Sequence, residues 1–209
     1  MVTLAMPARA TGTAAAVVRS NAVVLFAELR GFTRMSDVFD PALVLLLASD
    51  FFSLAGDAVT AQGGEPVSVQ NDSLLAVFGR GTPTQFAQQA VRAAQRIQGD
   101  FGALGEKWRR AYGLRTAVAQ GLHLGETVLG AGGLRGREQR MALGDCVGVA
   151  QCVLRRARAG EFIMSDAVMG ALSVEHLDLD AEPLPPLAIG KRNPIRIYGV
   201  LLEERLDFT

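Results

Sequence analysis

Val23-Val24-Leu25-Phe26-Ala27-Glu28-Leu29-Arg30-Gly31-Phe32-Thr33 is an apolar run that ends on an acid, a base and a glycine turn. Five consecutive apolar residues read as a strand, over about 22–29. Glu28 therefore stands at the mouth of that strand. A second acid, Asp72, lies in the polar turn Gln70-Asn71-Asp72, between Pro66-Val67-Ser68-Val69 and Leu74-Leu75-Ala76-Val77-Phe78-Gly79. Two apolar runs around a short polar turn predict a hairpin over 66–78. Carboxylates at the mouths of adjacent strands are how Mg²⁺ is commonly held against a phosphate. Acids at strand ends and turns are also commonly just solvated, so spacing alone does not decide between the two.

Bulk properties describe one domain. The 209 residues, 49% hydrophobic, are enough to bury a sizeable core. Twenty-one basic residues balance 21 acidic ones, which gives no electrostatic case for nucleic acid or an anionic membrane. The longest uninterrupted apolar stretch, 42–48, is flanked by Asp40 and Asp50 and is too short to span a bilayer. No basic segment followed by an apolar one opens the chain, so no secretory signal and no membrane insertion are expected, and a cytoplasmic protein is. Cys146 and Cys152, six apart on one predicted helix, point to different faces and read as free thiols.

Residues 1–20, rich in Ala and Thr, read as a flexible arm ahead of one domain over 21–209. Pro41 after Asp40 starts a helix that continues to about 61, where Gly63-Gly64 ends it. Phe86, Ala90, Ala94, Ile97 and Phe101 recur at helical spacing in a second helix over about 83–110. Strands at 114–122 and 126–130, a flexible loop at 131–137 and a helix near 146–158 follow. A strand at 162–164, a short helix from 166 and a closing strand at 195–201 complete the order. This pattern suggests an α/β fold, more closely an α+β sandwich with helices covering a mostly antiparallel sheet. The glycines near Gly130 follow a strand but open no helix, which argues against a dinucleotide loop.

The motifs go further than the pattern. VVLFAELRGFT resembles the FADIRGFT strand of class III nucleotidyl cyclases, the adenylyl and guanylyl cyclase catalytic domains. NDSLLAVFG resembles their GDAIMAVFG hairpin, and GLHLGETVLGAGG their GIHTGEVVAGNIG strands. MALGDCVGVAQCV stands where the family carries YTVIGDTVNLAAR, and PLAIGKRNPIRIYGV is similar to the closing LKGKxxPVxVYxV strand. The five blocks occur in family order from about 22 to 201. The resemblance implies a ferredoxin-like βαββαβ core with extra C-terminal strands. It implies closure of a ribose 3′-oxygen onto the α-phosphate of a nucleoside triphosphate, aided by Mg²⁺ or Mn²⁺, in a site shared across a head-to-tail dimer.

The same resemblance assigns residues. Glu28 and Asp72 fall on the metal carboxylates, with Glu28 one methylene longer than the family's aspartate. Leu29, Gly31, Phe32 and Thr33 form the phosphate turn. The base-recognising pair falls on Ser68 and Met141, the transition-state Asn and Arg on Gly148 and Cys152, and the phosphate lysine on Ile189. Five of these seven chemical positions thus carry small or apolar residues. Removing one preorganised donor typically costs about 3–4 kcal/mol of barrier, so losing several together predicts a pseudoenzyme even with non-additivity. Arg155 and Arg156, three and four residues past Cys152, and Lys191, two past Ile189, are the cations nearest in sequence that would compensate.

Other residues have plain structural readings. His123 fits an ordinary strand histidine, and His176 sits in a polar loop without a metal partner in view. Trp108-Arg109-Arg110 fits a helix C-terminus with a solvated basic face. Glu28 also reads as a relic held by Arg30 or by the amides of the 31–33 turn. The expectation is a catalytically degenerate cyclase homology domain in cyclic-nucleotide signalling, dimerising, regulatory or nucleotide-sensing, with only weak Mg²⁺ or Mn²⁺ binding. Two alternatives stand beside it: a weak cyclase of ATP or GTP, alone or with an intact cyclase partner, and a protein-interaction scaffold.

Overall fold

The computed structural model describes residues 17–134, 137–172, 179–190 and 193–201. The element order is β1 (Val18–Arg30), α1 (Phe32–Val38), α2 (Pro41–Ala61), β2 (Glu65–Gln70), β3 (Ser73–Phe78), α3 (Pro83–Tyr112) and β4 (Ala117–Leu134). It continues with β5 (Arg137–Leu143), α4 (Asp145–Leu154), β6 (Glu161–Ser165), α5 (Asp166–Ala171), β7 (Glu182–Leu187) and β8 (Ile195–Leu201). One eight-stranded sheet runs β2-β3-β1-β4-β6-β8-β7, with β5 paired to β4 off this path. The first four strands lie in the order β2-β3-β1-β4 and are antiparallel, which is the expected βαββαβ core. The sheet's parallel pairing, β4 with β6, joins the C-terminal strands to that core.

β1 explains why its sequence does not alternate. Val23, Leu25, Ala27 and Leu29 enter one core with Phe51 of α2 and Ala90 and Ile97 of α3. Ala22, Val24 and Phe26 enter a second core with Val149, Val153 and Leu154 of α4. Both faces are buried, so both parities must be apolar. Asp40 caps α2 by accepting from the Ala42 N–H at 2.8 Å, with Pro41 at the first position. Thr82 and Gln85 form a capping box at the start of α3. α2 has an 18-residue window of mean hydropathy 1.7, long and apolar enough on composition to span a bilayer, contrary to the expectation from its shorter apolar core. Its residues Val44, Leu47, Phe51 and Ala55 instead cover the sheet.

Several boundaries differ from the sequence reading. β1 begins at Val18, so 18–20 belong to the sheet rather than to an arm, while residues 1–16 lie outside the described residues. The strands expected at 114–122 and 126–130 are one, β4, and the expected loop 131–137 is the end of β4 and the start of β5. Its glycines read as breaks, yet a glycine in a strand often marks close approach of a neighbour. A Cβ on Gly132 would stand 2.8 Å from the Met141 sulfur across the hairpin. α1, β5 and β7 had no separate sequence signal. β7, with prolines at 183, 185 and 186, lies at the sheet edge, where a missing N–H is tolerated.

Candidate active site

Strand geometry brings the first two charges together. Ala22, Val24 and Phe26 point toward α4, so Glu28 and Arg30 continue the same face at a period of two. The hairpin supplies the third. Glu28 lies opposite Ser73, and the Leu29 N–H donates to the Asp72 carbonyl at 2.9 Å. Asn71 holds the turn with φ 53, a left-handed conformation that asparagine tolerates better than most residues. Glu28 and Asp72 therefore share one cleft of about 270 Å³, with Gln70, Ser73, Gln151 and Arg155 on its walls.

The far wall is the end of α4. A Cβ on Gly121 would stand 2.3 Å from the Leu154 nitrogen, so only glycine lets α4 lie this close to β4. The helix ends at Leu154, and its last carbonyls carry the negative end of the helix dipole. Arg30 donates to the Leu154 carbonyl at the helix end at 3.2 Å, to the Ala157 carbonyl in the turn beyond it at 2.8 Å, and also to the Glu28 carboxylate. Burial pushes the Glu28 carboxyl above its ordinary value, the Arg30 charge pulls it down, and Asp72 adds to the upward push.

Two carboxylates in one cleft are the number that holds Mg²⁺ when waters and substrate phosphates complete its octahedron, and one of the two here also pairs with the Arg30 guanidinium. Among the described residues no group of three or more His, Cys, Asp and Glu is placed to hold a metal.

The remaining predicted positions lie elsewhere. Ser68 is exposed on β2, Met141 half-buried on β5 opposite Gly130, Gly148 exposed on α4 with Cys152 half-buried one turn on, and Ile189 packs against the α4-side core. None of the five lines the cleft of Glu28 and Asp72. Gly31 makes the turn with φ 83 and precedes α1, and Thr33 is exposed. Leu29 is buried and Phe32 packs on the same core, which leaves their backbone, not their side chains, to face a ligand.

Of the cations considered, Arg155 reaches the Glu28 cleft rather than the Cys152 position. Lys191 and His176 lie outside the described residues. His123 pairs its Nδ1 with the Ser165 hydroxyl at 2.8 Å, and burial holds its pKa below the ordinary value. Both cysteines are free, and burial raises the Cys146 thiol. Trp108 is buried beside Phe101, and Glu106 pairs with both Arg109 and Arg110. Gln70 was read only as part of the hairpin turn and Gln151 went unremarked, their signal being proximity alone: one lies two residues before the hairpin acid, the other precedes Cys152.

No family model matches the chain. An adenylate cyclase of Anabaena cylindrica is 28% identical over 85% of this chain and 36% of its own length. Adenylate cyclase 1 of Rhizobium meliloti is 31% identical over 63% of this chain and 20% of its own length. The chain thus spans about a third and a fifth of these curated relatives. The crystal structure of the adenylyl cyclase CyaB from P. aeruginosa superposes with a TM-score of 0.82 at 20% identity, covering 93% of this chain and all of that one. The guanylate cyclase domain of RhGC from Catenaria anguillulae, solved in complex with GTP, gives 0.76 at 18% identity, covering 90% of this chain and 100% of that one. Sequence likeness along the chain and backbone likeness across the sheet agree: the chain is similar in sequence to adenylate cyclases and shares the fold of class III nucleotidyl cyclase catalytic domains.

Proposed function

We propose that this domain serves cyclic-nucleotide signalling in the cytoplasm as a pseudo-cyclase: a dimerising, regulatory or nucleotide-sensing unit with little or no turnover as a homodimer. The observation that carries the reading is the character of five positions, Ser68, Met141, Gly148, Cys152 and Ile189, none of which offers a charge or an amide side chain where the resemblance implies one. Among the residues lining the cleft, Arg155 is the cation, and it stands on the acid pair's own side. A head-to-tail homodimer would bring two such incomplete halves together. Mg²⁺ or Mn²⁺ would bind weakly, and a nucleoside triphosphate would be held more loosely than by a complete site.

A second reading follows from the retained half-site. Glu28 and Asp72 still share a cleft, so an intact cyclase could supply the missing groups in a heterodimer. The direct test is purified protein with Mg²⁺ or Mn²⁺ and ATP or GTP, scored for cyclic product. The expected result is no robust formation. Turnover within a few tenfold of an ordinary family member overturns the pseudo-cyclase reading, and product that appears only after mixing with a partner favours the heterodimer.

A further inference from the structure

We infer that the cleft of Glu28 and Asp72 receives a metal-bound triphosphate chain, and that Arg155 grips that chain from the acid pair's own side. The inference deepens the proposed function and rests on its retained half-site. Arg155 stands at the C-cap of α4 and lines the cleft together with Gln151, one turn earlier. Arg30 is committed to the Glu28 carboxylate and two carbonyls. Arg155, by contrast, is exposed and has no hydrogen bond or ion pair among the described residues. Its charge is nonetheless felt at Glu28: burial pushes that carboxyl upward, Arg30 opposes it most, and Arg155 adds a smaller downward pull.

The size and lining of the cleft point to a phosphate chain rather than a whole nucleotide. Its volume of about 270 Å³ is small for a drug-sized ligand. Phe26 and Leu154, the apolar residues of the lining, are both buried, which leaves little surface for a base to stack on. The other walls are carboxylate, amide, hydroxyl and guanidinium. A divalent ion on two carboxylates keeps positions for phosphate oxygens. Such a chain brings anionic oxygens into a cleft whose uncommitted cation, among the described residues, is Arg155. A guanidinium fork matches two phosphate oxygens at once and stays charged at any working pH. Arg155 also suits the negative end of the α4 dipole, but its neighbour Arg156 suits that end equally and does not line the cleft. The two arginines therefore separate a grip on phosphate from a helix cap.

The test is calorimetric titration of the full chain with preformed Mn²⁺ complexes of ATP, GTP and inorganic tripolyphosphate, with Mn²⁺ alone as reference. The three complexes should bind within about threefold of one another, because the cleft holds what they share. Arg155→Gln should weaken each by about tenfold and leave Mn²⁺ alone unchanged or slightly tighter, since a positive charge has gone. Arg156→Gln should change none of them by more than about twofold. If thermal melts show Arg155→Gln to be unfolded, Arg155→Lys decides in its place, with a loss of about threefold expected from a charge without the fork.

Equal losses in the Arg155 and Arg156 variants would reduce Arg155 to a cap and overturn the inference. So would unchanged binding in folded Arg155→Gln, or a wild type that binds none of the complexes at millimolar concentration. A loss of Mn²⁺ binding alongside the complexes overturns it too, making Arg155 a support for Glu28. A preference of about tenfold or more for either nucleotide over tripolyphosphate rules out the chain as the ligand. Cyclic product is scored separately: turnover would overturn the pseudo-cyclase reading and leave this one standing, and an idle Arg155 would do the reverse.

Discussion

Glu28 and Arg30 are neighbours because strands repeat every two residues, and Arg30 meets α4 because Gly121 lets the helix descend. The first fact can be read from sequence; the second cannot. Arg30 and its carbonyl partners are separated by 124 and 127 residues, and α4 ends at Leu154 rather than near 158, as its composition suggested. Gly121→Ala should lower unfolding free energy by about 1–3 kcal/mol, because its Cβ meets helix backbone that cannot rotate away; urea denaturation measures this, and an unchanged midpoint would refute the close packing. His123 gives a pH signature. Its folded pKa lies below the ordinary 6.5, so the unfolded chain binds more protons in the window just below that value. The stability it contributes is present above 6.5 and is lost as pH falls through the folded value. Melting temperature followed downward from pH 8 should therefore drop through this window, and His123→Gln should flatten that part of the slope.

At the level of elements, ends marked by side-chain chemistry were legible and ends set by neighbours were not. Asp40-Pro41 placed the start of α2 because a cap and an N1 proline act locally, while α3, placed by its apolar spacing, carries a Thr82 capping box with Pro83 behind it. Thr82→Ala should cost about 1 kcal/mol by removing the acceptor for the Gln85 N–H; chemical denaturation checks it, and a loss below a few tenths would mean that the cap is redundant. β4 was missed as one strand because Gly125, Gly130, Gly132 and Gly133 read as punctuation. It pairs with β1 through Leu129 and with β5 from Val128 onward. β7 was missed because its prolines argue against a central strand, and it is an edge one.

Across the whole molecule, the sheet separates two cores, one under α2 and α3 and the other under α4. Motif order along the chain was enough to identify this architecture, since five blocks in register constrain topology more than any one strand does. Assembly is not contained in a single chain. The proposed dimer predicts a sedimenting species of twice 22.2 kDa at tens of micromolar, and a monomer at that concentration would leave the composite-site reading without a basis. The close contact at Gly121 has one more consequence, which concerns history rather than stability. It fixes the α4 backbone from beneath, whatever its outer residues are, and a Cβ added at Gly148 meets nothing within 4 Å. Position 148, exposed on the outer side of α4, can therefore take a side chain without disturbing the fold. A Gly148→Asn protein should keep the parental melting temperature or rise slightly above it, since glycine is the poorer helix former. That outer face of the helix is rewritable on a scaffold that does not register the change.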